Sequence, residues 1–240
     1  MKISVIIHTL VSYFLLILVL LLLLIPGLCL FLMPQSWRYR SRIFAGFMHW
    51  TYWLLLKCTL VPITFKGAHN ISHEPAIIAV NHQSSLDIPL IGVLVKYSPH
   101  VWLAWSELFE LPFHYFLLTR MALPIDVTSS LTAMRSLIKV LSVISDYKLH
   151  AIIFPEGARF TDGQVHDFFA GFVTMAKKTG RPVVPVRIFN VNKVYPPHSF
   201  FVYWQPITVI VGQPMYIKED ESDHAFKTRV HQWFLEQTER

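Results

Sequence analysis

Ala76-Ile77-Ile78-Ala79-Val80 runs straight into Asn81-His82-Gln83-Ser84-Ser85-Leu86-Asp87, and then into Ile88-Pro89-Leu90-Ile91-Gly92-Val93-Leu94-Val95. The first five residues are an unbroken apolar run, as expected of a strand buried on both faces. The last eight read as the body of a helix. The polar residues between them therefore occupy a strand-to-helix turn. A second run of the same kind, Ala151-Ile152-Ile153-Phe154, ends in Pro155-Glu156-Gly157-Ala158-Arg159 and Phe160-Thr161-Asp162-Gly163. Two buried strands that each end in polar turn residues predict an open α/β sheet, with ligands gathered at the carboxyl ends of the strands.

The residues at those two ends have a chemistry in common. His82 and Asp87 are five positions apart at one turn, so they meet if the turn folds back. The carboxylate then holds one imidazole nitrogen and leaves the other free to take a proton from a hydroxyl. If the two strands are parallel and close, Glu156 and Arg159 join His82 and Asp87 in one pocket. That pocket contains a base, its orienting acid, a further carboxylate and a fixed cation.

Outward from these turns, α/β alternation continues. Ile63-Thr64-Phe65-Lys66, Val101 to Trp105, Pro182 to Ile188 and Ile207 to Val211 read as strands, and Ala122 to Asp126 as a short strand or turn. A helix is expected from Glu107 to Leu118, bent or divided at Pro112. Ser129 or Ser130 is placed to cap a helix whose Leu131, Met134, Leu137, Ile138, Leu141 and Ile144 recur at helical spacing and read as core. Phe172 to Lys178 reads as a helix stopped by Gly180. Ser222 is placed to cap a last helix with Phe226, Val230, Trp233 and Phe234 facing inward.

The N-terminal quarter differs in kind. From Ile3 to Gln35 there is no Lys, Arg, Asp or Glu. A bilayer core takes about 20 apolar residues as a helix, so this segment is long enough to span. Pro26-Gly27 is placed to interrupt or re-aim it. Trp37 and Tyr39 suit the interface, and Arg38, Arg40 and Arg42 mark a cytoplasmic edge. A cleaved secretory signal is the rival reading, but the apolar run is too long and lacks a small-residue cleavage site. Ile43 to Val61 is a second apolar, aromatic-rich segment, which suits a helix lying in the interface or, alternatively, a long core helix. The expected organisation is a membrane-anchoring two-helix hairpin over residues 1–61, then a catalytic domain over residues 62–240. Its fold is a mixed, mainly parallel sheet flanked by helices.

Composition agrees with membrane contact. Of 240 residues, 53% are hydrophobic and only 15% charged, against about 25% in typical soluble domains. Lys and Arg number 21 and Asp and Glu 15, a formal charge of +6. That excess suits anionic lipid or phosphorylated substrates. No nucleic-acid-binding signature accompanies it. Cys29 and Cys58 lie in apolar segments, and no CxxC, HExxH or HxH spacing points to a metal. No dinucleotide or P-loop motif is present, and no Gly-x-Ser-x-Gly elbow points to a serine lipase.

The two turns together resemble the glycerolipid acyltransferase family, the lysophosphatidic acid acyltransferases among them. The family's Asn-His-x4-Asp block is matched by Asn81, His82 and Asp87. Its Phe-Pro-Glu-Gly-x-Arg block is matched by Phe154, Pro155, Glu156, Gly157 and Arg159, and its Val-Pro-Val strand by Val184, Pro185 and Val186. The resemblance runs from about Gly67 to Val211. It implies an enzyme, which the N-terminal hairpin would hold at the membrane with its catalytic domain on the cytoplasmic face. That enzyme moves a fatty acyl group from acyl-CoA or acyl carrier protein to a lysophospholipid hydroxyl, without cofactor or metal. His82 and Asp87 become the catalytic pair, and Asn81, Glu156, Gly157 and Arg159 the substrate-binding residues, with Arg159 on a phosphate. Three positions depart from the family pattern. Val127 and Phe169 stand where basic residues are expected, and Ala158 where threonine is usual. A different lysolipid acceptor is therefore an alternative, as is a non-catalytic lipid or acyl-carrier binding protein.

Overall fold

The computed structural model describes residues 2–110 and 112–239. Three helices open the chain: α1 (Ile3–Phe31), α2 (Gln35–Arg40) and α3 (Arg42–Cys58). Then follow β1 (Ile63–Lys66), β2 (Ile77–Val80), α4 (Asp87–Leu94), β3 (His100–Trp105), α5 (Pro112–Met121), β4 (Ala122–Ile125), α6 (Ser130–Asp146) and β5 (His150–Ile153). The rest is α7 (Gly171–Thr179), β6 (Val183–Phe189), α8 (Val191–Val194), β7 (Ile207–Val211) and α9 (Asp223–Glu236). The expected helix from Glu107 to Leu118 is divided at Pro112, which opens α5, where its missing N–H costs nothing. Position 111, inside that expected helix, lies outside the described residues.

The seven strands form one sheet in the order β1-β7-β6-β2-β5-β3-β4. Every pairing is parallel except β6 with β7. The fold is thus the mixed, mainly parallel sheet expected. β2 sits at its centre, paired directly with β5 on one side and β6 on the other. Both faces of the centre are covered, which is why β2 carries no polar residue. Ile78 and Val80 point into one core with Leu90 and Ile91 of α4. Ile77 and Ala79 point into the other, with Ile144, Phe172, Phe226 and Phe234 of α6, α7 and α9. The two-residue period of the strand divides these neighbours between the faces.

α6 departs from the expected packing. Its cap is as read, with Ser129 and Thr132 closing a reciprocal capping box. Leu137, Val140 and Ile144 face the core, whereas Leu131, Met134 and Ile138 are 50% or more exposed. The helix carries two apolar stripes, and only one meets the sheet.

The N-terminal helices are joined to the sheet by specific contacts. α1 is long and apolar enough to cross a membrane by length and composition. It continues through Pro26 without a break, and at Gly27 it lies close to Phe47 of α3. Near its start, Thr9 Oγ1 donates to Val5 O at 2.7 Å and accepts from Val202 N at 3.1 Å, and Tyr13 donates to Phe200 O. At its end, Arg38 donates to Phe31 O and Met33 O, and Arg120 donates to Phe31 O. Cations there match the negative end of the helix dipole. Arg38, read as an edge marker, is buried in this contact. α3 turns Ala45, Met48, Tyr52 and Leu56 inward and leaves Ile43, Trp50 and Trp53 exposed. Tyr52 lies so close over Gly92 of α4 that a Cβ there would sit 2.0 Å from its ring. Between α1, α3 and α4 runs an apolar cavity of about 720 Å³, walled by residues such as Leu16, Leu20, Leu23, Met48 and Tyr52 and reaching Ser85 and Leu86.

Candidate active site

The carboxyl ends of β2 and β5 are neighbours because the two strands pair in parallel, Ala79 beside Ile153. One step beyond, the two polar turns meet. His82 Nδ1 lies 2.7 Å from Asp87 Oδ2. The same oxygen accepts from the main-chain N–H groups of Gln83 (2.7 Å) and Ser84 (2.8 Å). Asp87 is fully buried at the first turn of α4, where a negative charge is favoured by the helix dipole. The turn is pinned from outside by Ser84, whose hydroxyl donates to Tyr195 O.

The imidazole has little freedom. Its ring stacks on Phe154 at 3.8 Å between centroids and 14° between planes, and Phe154 stacks in turn with Trp102. On its far side, Arg159 Nε donates to His82 Nε2 at 3.0 Å. A guanidinium only donates and a carboxylate only accepts. These two contacts therefore assign the tautomer: the proton is on Nδ1, facing Asp87, and Nε2 offers its lone pair. An imidazole held this way can take a proton on Nε2 while the carboxylate stabilises the cation that forms.

Asn81 and Glu156, read from the sequence as substrate contacts, face the scaffold instead. Asn81 Oδ1 accepts from Ile188 N at 2.7 Å and Nδ2 donates to Ile188 O at 3.0 Å. The side-chain amide thus extends the β2–β6 pairing by one rung. Glu156 is buried, and its two oxygens accept from the main-chain N–H groups of His82 (3.2 Å) and His166 (3.3 Å). Burial pushes its carboxyl up to about 7; the two N–H donors, His166 and Arg187 pull the other way. Gly157 turns at φ +73°, in the left-handed region, and a Cβ there would meet the Phe169 ring at 2.5 Å. Arg159 is exposed, with its Nε turned onto His82.

Sequence reading missed some of the supporting residues. Arg187 is buried within β6, donating to Phe234 O and Gly163 O, with burial lowering its pKa and Glu156 raising it. A lone cation in an otherwise apolar strand was its signal. The main-chain donors at Gln83 and Ser84 carry no side-chain signal. Of the departures, Val127 is exposed, and Phe169 is exposed while packed over Gly157 beside Trp105. Among the described residues, no cluster of His, Cys, Asp and Glu has the arrangement to hold a metal ion.

A protein-family model described as Acyltransferase matches residues 62–189, more than half of the chain. This chain belongs to the acyltransferase family. The acyltransferase-family chain has curated relatives that agree with one another. It is 32% identical over 197 residues to the 1-acyl-sn-glycerol-3-phosphate acyltransferase of Cocos nucifera, covering 80% of this chain and 61% of that protein. It is 28% identical over 169 residues to the protein of the same name from Borreliella burgdorferi, covering 67% of each. The chain spans only 61% and 57% of the lengths of the Cocos nucifera and Limnanthes douglasii relatives. Among solved structures it is similar to the 1-acyl-sn-glycerophosphate acyltransferase PlsC of Thermotoga maritima. The TM-score is 0.75 at 24% identity, covering 98% of this chain and 95% of that one. At that identity the likeness speaks for the fold alone.

The raised pKa of Glu156 gives a test of the site's packing. Between the ordinary carboxylate range and about 7, the unfolded chain loses this proton and the folded chain keeps it. Stability from this group is thus full at low pH and falls as pH rises through that window. Glu156→Gln does not titrate, so its stability relative to the parent should improve by about 2–3 kcal/mol between about pH 5 and about pH 8. The fixed cost of losing one N–H acceptor cancels in that comparison. Unfolding of both proteins in detergent at the two pH values checks it, and parallel curves would reject the burial assigned to Glu156.

Proposed function

We infer that this chain is a membrane-anchored O-acyltransferase. Its reaction moves a fatty acyl group from a thioester, of CoA or acyl carrier protein, to the free hydroxyl of lysophosphatidic acid, giving phosphatidic acid. The observation that carries this reading is the imidazole of His82, fixed by Asp87 and Phe154, with a guanidinium at its free nitrogen. A base alone suits many alcohols. A base with an arginine beside it suits an alcohol that also carries phosphate.

The geometry supports the following reaction. The lysolipid hydroxyl donates its proton to His82 Nε2 as its oxygen attacks the thioester carbonyl carbon. Asp87 stabilises the imidazolium. The carbon–sulfur bond then breaks, and the leaving thiolate takes the proton back from Nε2. The substrate supplies the oxygen, so the chain needs no nucleophile of its own. The apolar cavity reaches Ser85 and Leu86, on the turn that carries His82, and has the volume and apolar lining for a fatty acyl chain. Residues 1–61 serve as the anchor and as part of that wall, and residues 62–240 hold the catalytic groups on the cytoplasmic face. The names of the curated relatives support the choice of acceptor.

One observation favours a second acceptor class. Phe169 and Trp105, both exposed aromatics, flank Gly157 where the family pattern has a cation nearby. An acceptor with an esterified phosphate is the alternative. The decisive experiment incubates the purified chain with one labelled acyl-CoA and a panel of lysolipids, read by mass spectrometry. Labelled phosphatidic acid as the dominant product is expected. Labelling only of lysolipids with an esterified phosphate would replace the acceptor, and labelling of none would overturn the reading for this donor.

A further inference from the structure

The free nitrogen of His82 is not free in this structure. Its single lone pair lies in the ring plane and already accepts from Arg159 Nε at 3.0 Å. Stacking on Phe154 and the bond to Asp87 fix the ring, so the lone pair cannot turn to another donor. A hydroxyl and Arg159 cannot both donate to it. The base is therefore blocked for as long as the guanidinium stays.

Arg159 is held there weakly. It is exposed, and among the described residues no carboxylate lies within ion-pairing distance of it. A neutral imidazole is a poor partner for a guanidinium. A phosphate monoester is a far better one, because it accepts two charge-assisted hydrogen bonds in the geometry of the guanidinium fork. Exchange of one partner for the other needs only rotation of an exposed side chain.

We propose that Arg159 is a latch that decides which hydroxyl the base can serve: it caps His82 in the empty site, and the acceptor's phosphate draws it off. The inference rests on the acyltransferase reading for its substrate, but the cap itself is a contact within this chain. Its consequence is selectivity against water. A bound acyl thioester with no acceptor beside it faces a capped base and is not hydrolysed. When a phosphate monoester arrives, Arg159 swings onto it, Nε2 is exposed, and the hydroxyl of the same molecule is the one at hand. Arg159 is thus a specificity-determining residue twice over, as phosphate ligand and as guard of the base.

Removing the latch should separate the two roles. Arg159→Ala is expected to transfer more slowly to lysophosphatidic acid, with a raised acceptor KM. In the absence of any lysolipid, the same variant should hydrolyse acyl-CoA about tenfold faster than the parent, a change that corresponds to one lost hydrogen bond at the base. In that side reaction water attacks the thioester carbon, Nε2 takes the proton, and free fatty acid and free thiol leave. Arg159→Ala combined with His82→Ala should lose the gain, which places it at the base.

A second readout needs no acyl donor. Diethyl pyrocarbonate acylates an uncapped imidazole nitrogen, and the modified His82 peptide is quantified by mass spectrometry. Modification of the full-length parent in detergent should be slow. It should accelerate about tenfold in Arg159→Ala, and in the parent when glycerol 3-phosphate or inorganic phosphate is added. Acceleration by glycerol 3-phosphate but not by inorganic phosphate would assign the latch to the headgroup of the acceptor; acceleration by both would assign it to phosphate as such. Equal modification rates in parent and variant, with hydrolysis no faster in the variant, would overturn the latch. If modification behaves as expected while no lysolipid is acylated, the latch stands and the acyltransferase reading fails.

Discussion

His82→Ala should lower acyl transfer by about 10²–10⁴-fold, the usual contribution of a positioned general base. On the proposed mechanism the loss belongs in kcat, because the imidazole would act on the hydroxyl in the transition state and not on the bound acyl chain. The acyl thioester should bind almost as before, since the cavity proposed for it is walled by α1, α3 and α4 and not by His82. The fold should survive. The side chain of His82 lies at the end of β2, outside the two cores, and its main-chain bonds to Glu156 and Phe160 do not need the ring. The measurement is kcat and both KM values for the purified variant, with unfolding as the control. A variant that keeps most of its kcat would remove His82 from the chemistry.

Asp87→Asn should be nearly as damaging, for a different reason. In the parent, one buried oxygen holds the imidazole and two main-chain N–H groups. Its partner oxygen has no hydrogen-bond partner and is buried. Asparagine can keep its oxygen on the three donors and put its amide nitrogen in the unpartnered place. Geometry is then largely preserved, but the negative charge that stabilises the imidazolium is lost. By analogy with the acid of a Ser-His-Asp triad, the rate should fall by up to about 10⁴-fold with little change in either KM. Asp87→Ala adds a structural penalty, because it leaves the N–H groups of Gln83 and Ser84 without an acceptor in a buried turn. Each such orphan costs about 1–3 kcal/mol. The pair of variants thus separates charge from scaffold: both lose rate, and only the alanine variant should unfold early. If Asp87→Asn transfers at the parental rate, the carboxylate is no more than a peg for the turn.

How far the sequence reaches can be judged from particular residues. The strands at Ile77, Ile152 and Val184 were legible because a strand buried on both faces must be apolar throughout. His82 and Asp87 were legible because both belong to one turn. Arg159 was legible as a charge at a strand end, but its bond to His82 spans 77 positions and depends on the direct pairing of β2 with β5. Asn81 and Glu156 show the limit from the other side. Polar residues next to a motif read as ligands, yet each satisfies main-chain groups that the turns would otherwise bury unpaired. The exposure of the outer stripe of α6 is not legible, because helical spacing reveals an apolar face without saying what covers it. α8 is a single turn, too short for any periodicity to show.

The helix α1 has Leu16, Leu20 and Leu23 along the inner cavity and is tied to the sheet domain through Val202 at one end and Arg120 at the other. A tether that is also a wall cannot be trimmed like a leader. Deleting it to obtain a soluble fragment would unroof the chamber, leave Leu86 and Tyr52 facing water, and remove the surface against which a fatty tail would be measured. On the function proposed above, solubility and the length of the acyl chain accepted would belong to one and the same stretch of polypeptide, so engineering the first would alter the second.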